Sequence, residues 1–348
     1  MDLQSTFTAL LNNTLNLVLS HISYYLNLSA QSITNDDLVT FKPVLDAWKP
    51  PSQKPTILLR WLITEWCNNC CPYCNQDHSR YASKGRRYTS HAFDNYSVEQ
   101  WKTAFSRHFG NYNLSLVLTG GEPMLDVKSM MPLLQFLAAQ ENVSVIRIDT
   151  NTSWNPENFS ELEKSKIILM CTFHPSQISE SGFINRIDNI LLSGFRIGMI
   201  NYVMDGNNFA KYATYKRLFR ERSVPLHPNP LWDSRGIYSK DDVDLLKREL
   251  PLPDFLYRTK TCRTQKRKCL FPSLGYEMDY CGSIWVGCHR LLRGNIFKNR
   301  IPTLFSNPVL CPKPYCVCLD KYSFLIDVNR NVGRDPLSIY SELLLNNS

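Results

Sequence analysis

"TEWCNNCCPYC", residues 64 to 74, sets four of the chain's twelve cysteines within eight positions. It follows on "TILLRW" (56–61), two residues further along the same run, which reads as a buried β-strand. The cysteines parse either as two abutting CxxC pairs, Cys67/Cys70 and Cys71/Cys74, or as one CxxxCxxC made of Cys67, Cys71 and Cys74 with Cys70 left over. A structural zinc site needs four ligands on one tetrahedral ion, usually from two knuckles a dozen or more residues apart so that the chain can fold back. Here the knuckles touch, and adjacent Cys70 and Cys71 project in different directions. Three thiolates spaced three and then two apart can instead wrap three corners of a cubane iron–sulfur cluster. That arrangement leaves one iron without a protein ligand.

The remaining composition narrows the setting. The opening "MDLQSTFTALLNN" has no basic start, no continuous apolar core and no small-residue cleavage site, so nothing in it directs the chain to an oxidising compartment. The expectation is a cytoplasmic protein with reduced thiols, and the Asn-x-Ser/Thr matches at Asn27 and Asn95 read as chance. With 348 residues and 43% hydrophobic content, the chain can bury one substantial core and a smaller attached module. No apolar run approaches a membrane span. Part of the net charge of +8 is local, in "YRTKTCRTQKRKC" (257–269). That run reads as a solvated loop, with an anionic substrate or a nucleic-acid contact as the sharper alternatives. Few aromatics accompany it, which weighs against nucleic acid.

Residues 1–55 divide into helical spacing in "FTALLNNTLNLVLSHISYYLNL" and the punctuating "WKPPSQKP", a helical preface and linker. From 56 onward strand-like and helix-like runs alternate: "TILLRWLI", "SVEQWKTAFSRHF", "LSLVLTGG", "DVKSMMPLLQFLAAQ", "VSVIRIDTN", "FSELEKSK", "IILMCTF", "ESGFINRIDNILLSG", "FRIGMINYVM", "FAKYATYKRLFRER" and "VPLHPNPLW". Such alternation predicts an α/β fold with a parallel sheet and crossover helices. Six strands predict a partial (β/α)6 TIM-like barrel over 56–235, with function at the C-terminal ends of the strands. A small Cys-rich C-terminal cluster-binding module is expected at 236–320 and a packing segment at 321–348.

The cysteines lie at one such strand end, and "LVLTGGEPML" (116–125) lies at the next. Gly120 and Gly121 permit close backbone approach and positive φ, and Glu122 can accept hydrogen bonds from an ammonium group. A lone GGE is weak, but one strand after a CxxxCxxC it is specific.

"CNNCCPYC" with an aromatic before its last cysteine, together with "TGGEP" after the second strand, resembles the radical S-adenosylmethionine (radical SAM) superfamily. The resemblance implies a [4Fe-4S] cluster on Cys67, Cys71 and Cys74, its fourth iron chelated by S-adenosyl-L-methionine. It implies reductive cleavage of that sulfonium to a 5′-deoxyadenosyl radical, which abstracts hydrogen from substrate. Gly120, Gly121 and Glu122 would then hold the methionine moiety, and the backbone around Tyr73 would face the adenine. Cys70 is left as a passenger. "IDTNT" (148–152) stands where many members carry a Thr-Asn-Gly turn, with Thr152 in place of the glycine, so Asp149 and Asn151 are expected near the cofactor. His174, in "TFHP", is a candidate acid or base near neutral pH; a structural turn residue is the plainer reading of a histidine before proline.

Seven cysteines fall between 262 and 318, more than a reduced domain ordinarily carries, which points to a second metal centre. Cys262, Cys269 and Cys288, followed by "GNI", resemble the auxiliary-cluster extension of radical SAM enzymes called SPASM or twitch. A fourth ligand is expected from Cys311, Cys316 or Cys318, with Cys316 favoured. The CxxCx5Cx3C pattern for a further cluster is absent, so one auxiliary cluster is expected, and zinc remains open for part of the set. The function so implied is redox modification (dehydrogenation, cross-linking or epimerisation) of a peptide or of a sugar- or nucleoside-like small molecule. An electron donor such as flavodoxin or ferredoxin is the implied partner. Two alternatives stand beside it: a non-catalytic iron–sulfur protein on the same scaffold, and a zinc-stabilised nucleic-acid-binding protein using 257–269.

Overall fold

The computed structural model describes residues 56–74, 90–204, 208–231, 238–250, 265, 268–269, 271–287, 292–298 and 301–311. The expected helical preface and the segment 321–348 lie outside the described residues. Six strands, β1 (Thr56–Thr64), β2 (Asn113–Gly120), β3 (Val143–Thr150), β4 (Ile167–Phe173), β5 (Arg196–Met204) and β6 (Leu226–Pro230), pair in sequence order, each parallel to the next. This is the α/β partial barrel that the alternating pattern predicts.

Local chemistry sets the crossovers. α1 (Val98–Phe109) starts at a capping box in which Gln100 N–H donates to Ser97 Oγ and Ser97 N–H donates to Gln100 Oε1, which satisfies two otherwise orphaned donors. Its Trp101, Ala104, Phe105 and Phe109 recur at helical spacing and are buried against the sheet. α2 (Val127–Ala139), α3 (Glu180–Leu192) and α4 (Tyr212–Arg220) complete the crossovers after β2, β4 and β5, and α5 (Lys240–Glu249) follows β6. The crossover between β3 and β4 differs from expectation. "FSELEKSK" forms no α-helix; a 3-10 turn at Pro156–Phe159 stands there instead. Phe159 and Leu162 are its two buried apolar residues, enough to anchor one turn and too few to hold a longer helix on the sheet.

The described part of the cysteine-rich segment joins the edge of the barrel sheet. After β7 (Lys268–Cys269) and a short α6 (Phe271–Leu274), β8 (Gly275–Met278) adds parallel to β1, and β9 (Ser283–Val286) and β10 (Arg293–Asn295) continue antiparallel beyond it. One nine-stranded sheet results, in the order β10-β9-β8-β1-β2-β3-β4-β5-β6. β7 pairs instead with β11 (Val309–Leu310).

The two faces of the sheet carry different chemistry. Ile57, Leu59, Trp61 and Ile63 of β1, with Leu116, Leu118, Ile146 and Ile148, pack under the helices in one large core. Val145, Ile168 and Met170 form a separate small cluster, with Met199 against it. The side-chain period of two puts these on the inner face. Arg60 of β1 pairs with Glu277 of β8 at 3.5 Å, both side chains about six-sevenths buried. Arg60 Nε has no other partner. Removing one member of a buried pair leaves the other uncompensated, so Glu277→Ala is expected to cost about 2 kcal/mol. Denaturant unfolding measures this; a midpoint equal to wild type would show that the pair does not hold β8 to β1.

Candidate functional site

The end of β1 is fixed by its own backbone. Thr64, fully buried, accepts from Trp66 N–H through Oγ1 at 2.9 Å, and its carbonyl accepts from Gly121 N–H at 2.8 Å. The Trp66 carbonyl accepts from Glu122 N–H at 2.7 Å. These bonds lay the Gly-Gly-Glu turn directly on the chain entering the cysteine loop. A Cβ on Gly120 would lie 2.0 Å from Thr64 O and one on Gly121 1.9 Å from Trp66 O, and Gly120 has φ +145. Both glycines are thus required by backbone-to-backbone contact.

Within the loop, Cys71 is buried, Cys67 and Cys74 half-buried and Cys70 exposed. Cys74 N–H donates to the Cys71 carbonyl at 3.1 Å, a tight turn that keeps those two together. Burial, joined by the neighbouring Cys74 and Cys67, pushes the Cys71 thiol up to about 12. Burial also raises Cys67, with Glu122 and Cys74 adding to it. Each bound metal must therefore displace protons. Among the described residues no three His, Cys, Asp or Glu side chains converge as a single-ion site. A cubane takes each thiolate on a different iron, so three neighbouring thiols on one loop fit a cluster with three protein corners better than a tetrahedral zinc. Cys70 faces away, its N–H held by Gln177 Oε1 at 3.0 Å.

Glu122 differs from the expectation. Its side chain is 0% exposed and meets protein donors: Met124 N–H at 3.2 Å, Thr150 Oγ1 at 2.9 and 3.0 Å, and Asn151 N–H. The carboxyl group braces β2 against β3, so an incoming ammonium group does not reach it. Thr150 Oγ1 is itself saturated, accepting from Thr152 N–H at 3.0 Å and Trp154 Nε1–H at 2.8 Å. Burial pushes the Glu122 carboxyl up to about 7 against the lowering effect of its hydrogen bonds from Asn151, Thr150 and Met124.

Asn151 reaches the cysteine loop, its Nδ2 lying 3.4 Å from Cys67 Sγ and 3.1 Å from Asn68 Oδ1. Thr152 occupies the left-handed region at φ 65, the conformation that glycine would take there without strain. Asp149 is engaged otherwise: its Oδ1 accepts from Arg147 Nε at 2.6 Å on the inner face. Tyr73 and His174 meet each other. Tyr73 Oη lies 3.1 Å from His174 Nδ1 and 3.3 Å from Ser176 Oγ, and the rings stack at 5.9 Å. Burial pushes the imidazole down to about 4, so it is neutral at pH 7, below the near-neutral titration expected for it. The turn after β4 thereby fastens the cysteine loop across the mouth of the sheet.

In the C-terminal segment, Cys262, Cys288 and Cys316 lie outside the described residues. Cys269 pairs with Val309, and Cys311 follows directly on that short strand. Both are 3% exposed. Thr150 and Asn68 lie inside the quoted "IDTNT" and "CNNCCPYC" stretches but were not singled out there, and Arg147 and Gln177 belong to no motif. Gln177 had a positional signal, three residues after His174 in a strand-end loop.

The chain is thus a parallel α/β partial barrel with a three-thiol loop at the C-terminal end of its first strand. No protein-family model matches the chain, and no curated protein matches it. Among solved structures, native anSMEcpe with bound AdoMet superposes with a TM-score of 0.50 at 15% identity, over 70% of this chain and 78% of that one. BtrN in complex with AdoMet and 2-DOIA aligns at 14% identity over 71% and 80%, with a TM-score of 0.36. Both are radical SAM enzymes. The first superposition shows that this chain shares the fold of that enzyme.

Two outcomes test the geometry. Gly121→Ala is expected to cost more than about 3 kcal/mol, because the new methyl meets immovable backbone, and to lower iron uptake; thermal melts with iron assays read both. For Glu122 the folded carboxyl binds its proton more tightly than the usual 4.5. The folded state then holds more protons than the unfolded one between about pH 4.5 and 7, and stability falls as pH rises through that window. Metal-free wild type should show this slope and Glu122→Gln should lack it; parallel stability profiles would refute the assignment.

Proposed function

We propose that this chain is a radical SAM enzyme that binds a [4Fe-4S] cluster and S-adenosyl-L-methionine and performs redox modification of a neutral, hydrogen-bonding substrate. The observation that supports it most is the three-thiol loop, clamped by the Gly-Gly-Glu turn and held over the inner face at the strands' C-terminal ends. Cys67, Cys71 and Cys74 would hold the cluster. When bound, the cluster would supply one electron to the sulfonium and leave a carbon radical that takes hydrogen from substrate. The chain's own part is to hold and to exclude water. Gly120 and Gly121 keep partial exposure, so the turn's backbone, rather than the enclosed Glu122 carboxyl group, would meet the methionine moiety. Tyr73, fixed by His174, would set the loop backbone facing the adenine.

The inner face favours the substrate class. From its apolar base of Val145, Ile168 and Met170, it turns polar toward the strand ends. Thr172 pairs with Asn201, and Asn201 with His227, so the three stand side by side, with Asn229 one step above; all four are half-buried. Arg60 and Arg147 on that face are matched by Glu277 and Asp149. A face of amides, a hydroxyl and paired charges suits a peptide amide or a hydroxylated ring better than a phosphate.

One auxiliary [4Fe-4S] cluster is part of the same reading, on Cys262, Cys269 and Cys288. Cys311, buried like Cys269 and next to the strand that pairs with it, is favoured over Cys316 as the fourth ligand. A flavodoxin- or ferredoxin-type donor would supply the electron. No helix among the described residues is long and apolar enough to cross a membrane.

Anaerobic reconstitution with reductant and S-adenosyl-L-methionine should yield 5′-deoxyadenosine, lost in Cys71→Ala. Iron should approach about eight per chain, four for each cluster, and fall by half in Cys311→Ala. A fully loaded protein that neither cleaves nor binds S-adenosyl-L-methionine would overturn the reading.

A further inference from the structure

Cys67 is met by a side chain that follows a different strand. Asn151 follows β3, 84 residues away, and is 7% exposed. The orientation of its amide is fixed by a neighbour: Ser153 N–H donates to Asn151 Oδ1 at 2.9 Å, so Oδ1 is the acceptor there and Nδ2 must turn the other way. Nδ2 then lies 3.4 Å from Cys67 Sγ, matching the 3.4 Å from Asn69 N–H to the same sulfur. The backbone of Asn151 is tied just as firmly, because its N–H donates into the buried Glu122 carboxyl group. The next residue, Thr152, is held at φ 65, a conformation that costs a β-branched residue roughly 1–2 kcal/mol and persists only where surroundings over-determine it. The strain, the buried carboxyl and the saturated Thr150 hydroxyl all converge on the placement of one amide.

We propose that Asn151 is a positioning residue whose side-chain N–H donates to the Cys67 thiolate and raises the reduction potential of the cluster held there, with Glu122 fixing it in place. A donor aimed at a ligating sulfur stabilises negative charge on that sulfur, and the reduced cluster carries one negative charge more than the oxidised one. The hydrogen bond therefore favours the reduced form. It makes the cluster easier to fill by an external one-electron donor of the flavodoxin or ferredoxin type. The inference rests on Cys67 ligating iron, as proposed above.

The test is an EPR-monitored redox titration of the reconstituted protein without S-adenosyl-L-methionine, with iron and sulfide measured on the same samples. Asn151→Leu removes the donor without adding charge. Its midpoint should move negative enough to cut the reduced-to-oxidised ratio about tenfold at fixed solution potential, about 59 mV for one electron, at wild-type iron content. Asn151→Asp keeps an oxygen for Ser153 N–H while losing the donor, and should move the same way. A merely structural role would leave the midpoint of iron-loaded Asn151→Leu at wild type. If Asn151→Leu fails to load iron, Asn151→Asp decides: its added charge could only push the midpoint further down, so an unchanged value overturns the proposal. Wild type that takes up no iron would bring down the radical SAM reading and this inference together; loaded variants with unshifted midpoints would bring down this inference alone.

Discussion

Two backbone hydrogen bonds, from Gly121 N–H to the Thr64 carbonyl and from Glu122 N–H to the Trp66 carbonyl, hold the place on which the rest of the site depends. They carry the β1–β2 pairing past the last residues of the strands and into the loops. A loop bearing three thiols is thereby anchored at sheet precision while remaining a loop. Only glycine allows it, since either Cβ would occupy the position of a carbonyl oxygen. Loops carry function because their chain is free to reach a ligand, and they are precise only where a rigid element fixes them. Here the glycine pair transfers that rigidity.

Glu122 then couples this turn to the third strand. A carboxyl group with no solvent contact is costly unless its oxygens are satisfied. Three donors from Met124, Thr150 and Asn151 satisfy it. Burial nevertheless keeps its proton affinity high, so the brace works close to its balance point. The cost is local and the benefit is geometric. β1, β2 and β3 end in one connected network, and the strained Thr152 turn is held by it. From the other side, Tyr73, His174 and Gln177 draw the loop toward β4.

The parts legible in the sequence were those that local spacing determines. The thiols of Cys67, Cys71 and Cys74, the glycine pair and four of the five crossover connections follow from intervals of three or four residues or from alternation. "FSELEKSK" misled because its charged residues favour helix while its two apolar anchors suffice for one turn, and burial decided between them. The addition of β8 to β1 was not legible, since Arg60 and Glu277 are 217 positions apart and no local pattern specifies an edge partner. The role of Glu122 was hidden for the same reason. A carboxylate beside two glycines looks like a ligand group until the residues 28 and 29 positions later are known to donate to it.

The inner face joins these observations to chemistry. Its lower layer is apolar, formed by Val145, Ile168 and Met170 with Met199 against them. Its upper layer, Thr172, Asn201 and His227, lies one step above Met170 and Met199 on the same strands and level with the turn that carries Asn151. That height is shared because parallel strands in register end together. A bound molecule resting on the polar layer would thus sit below the cysteine loop, with the roof formed where Tyr73 meets His174. Proximity in such a site comes from the strand register itself. On the reading proposed above, the choice of substrate would then fall to neutral hydrogen-bonding side chains, because Arg60 and Arg147 already have carboxylate partners.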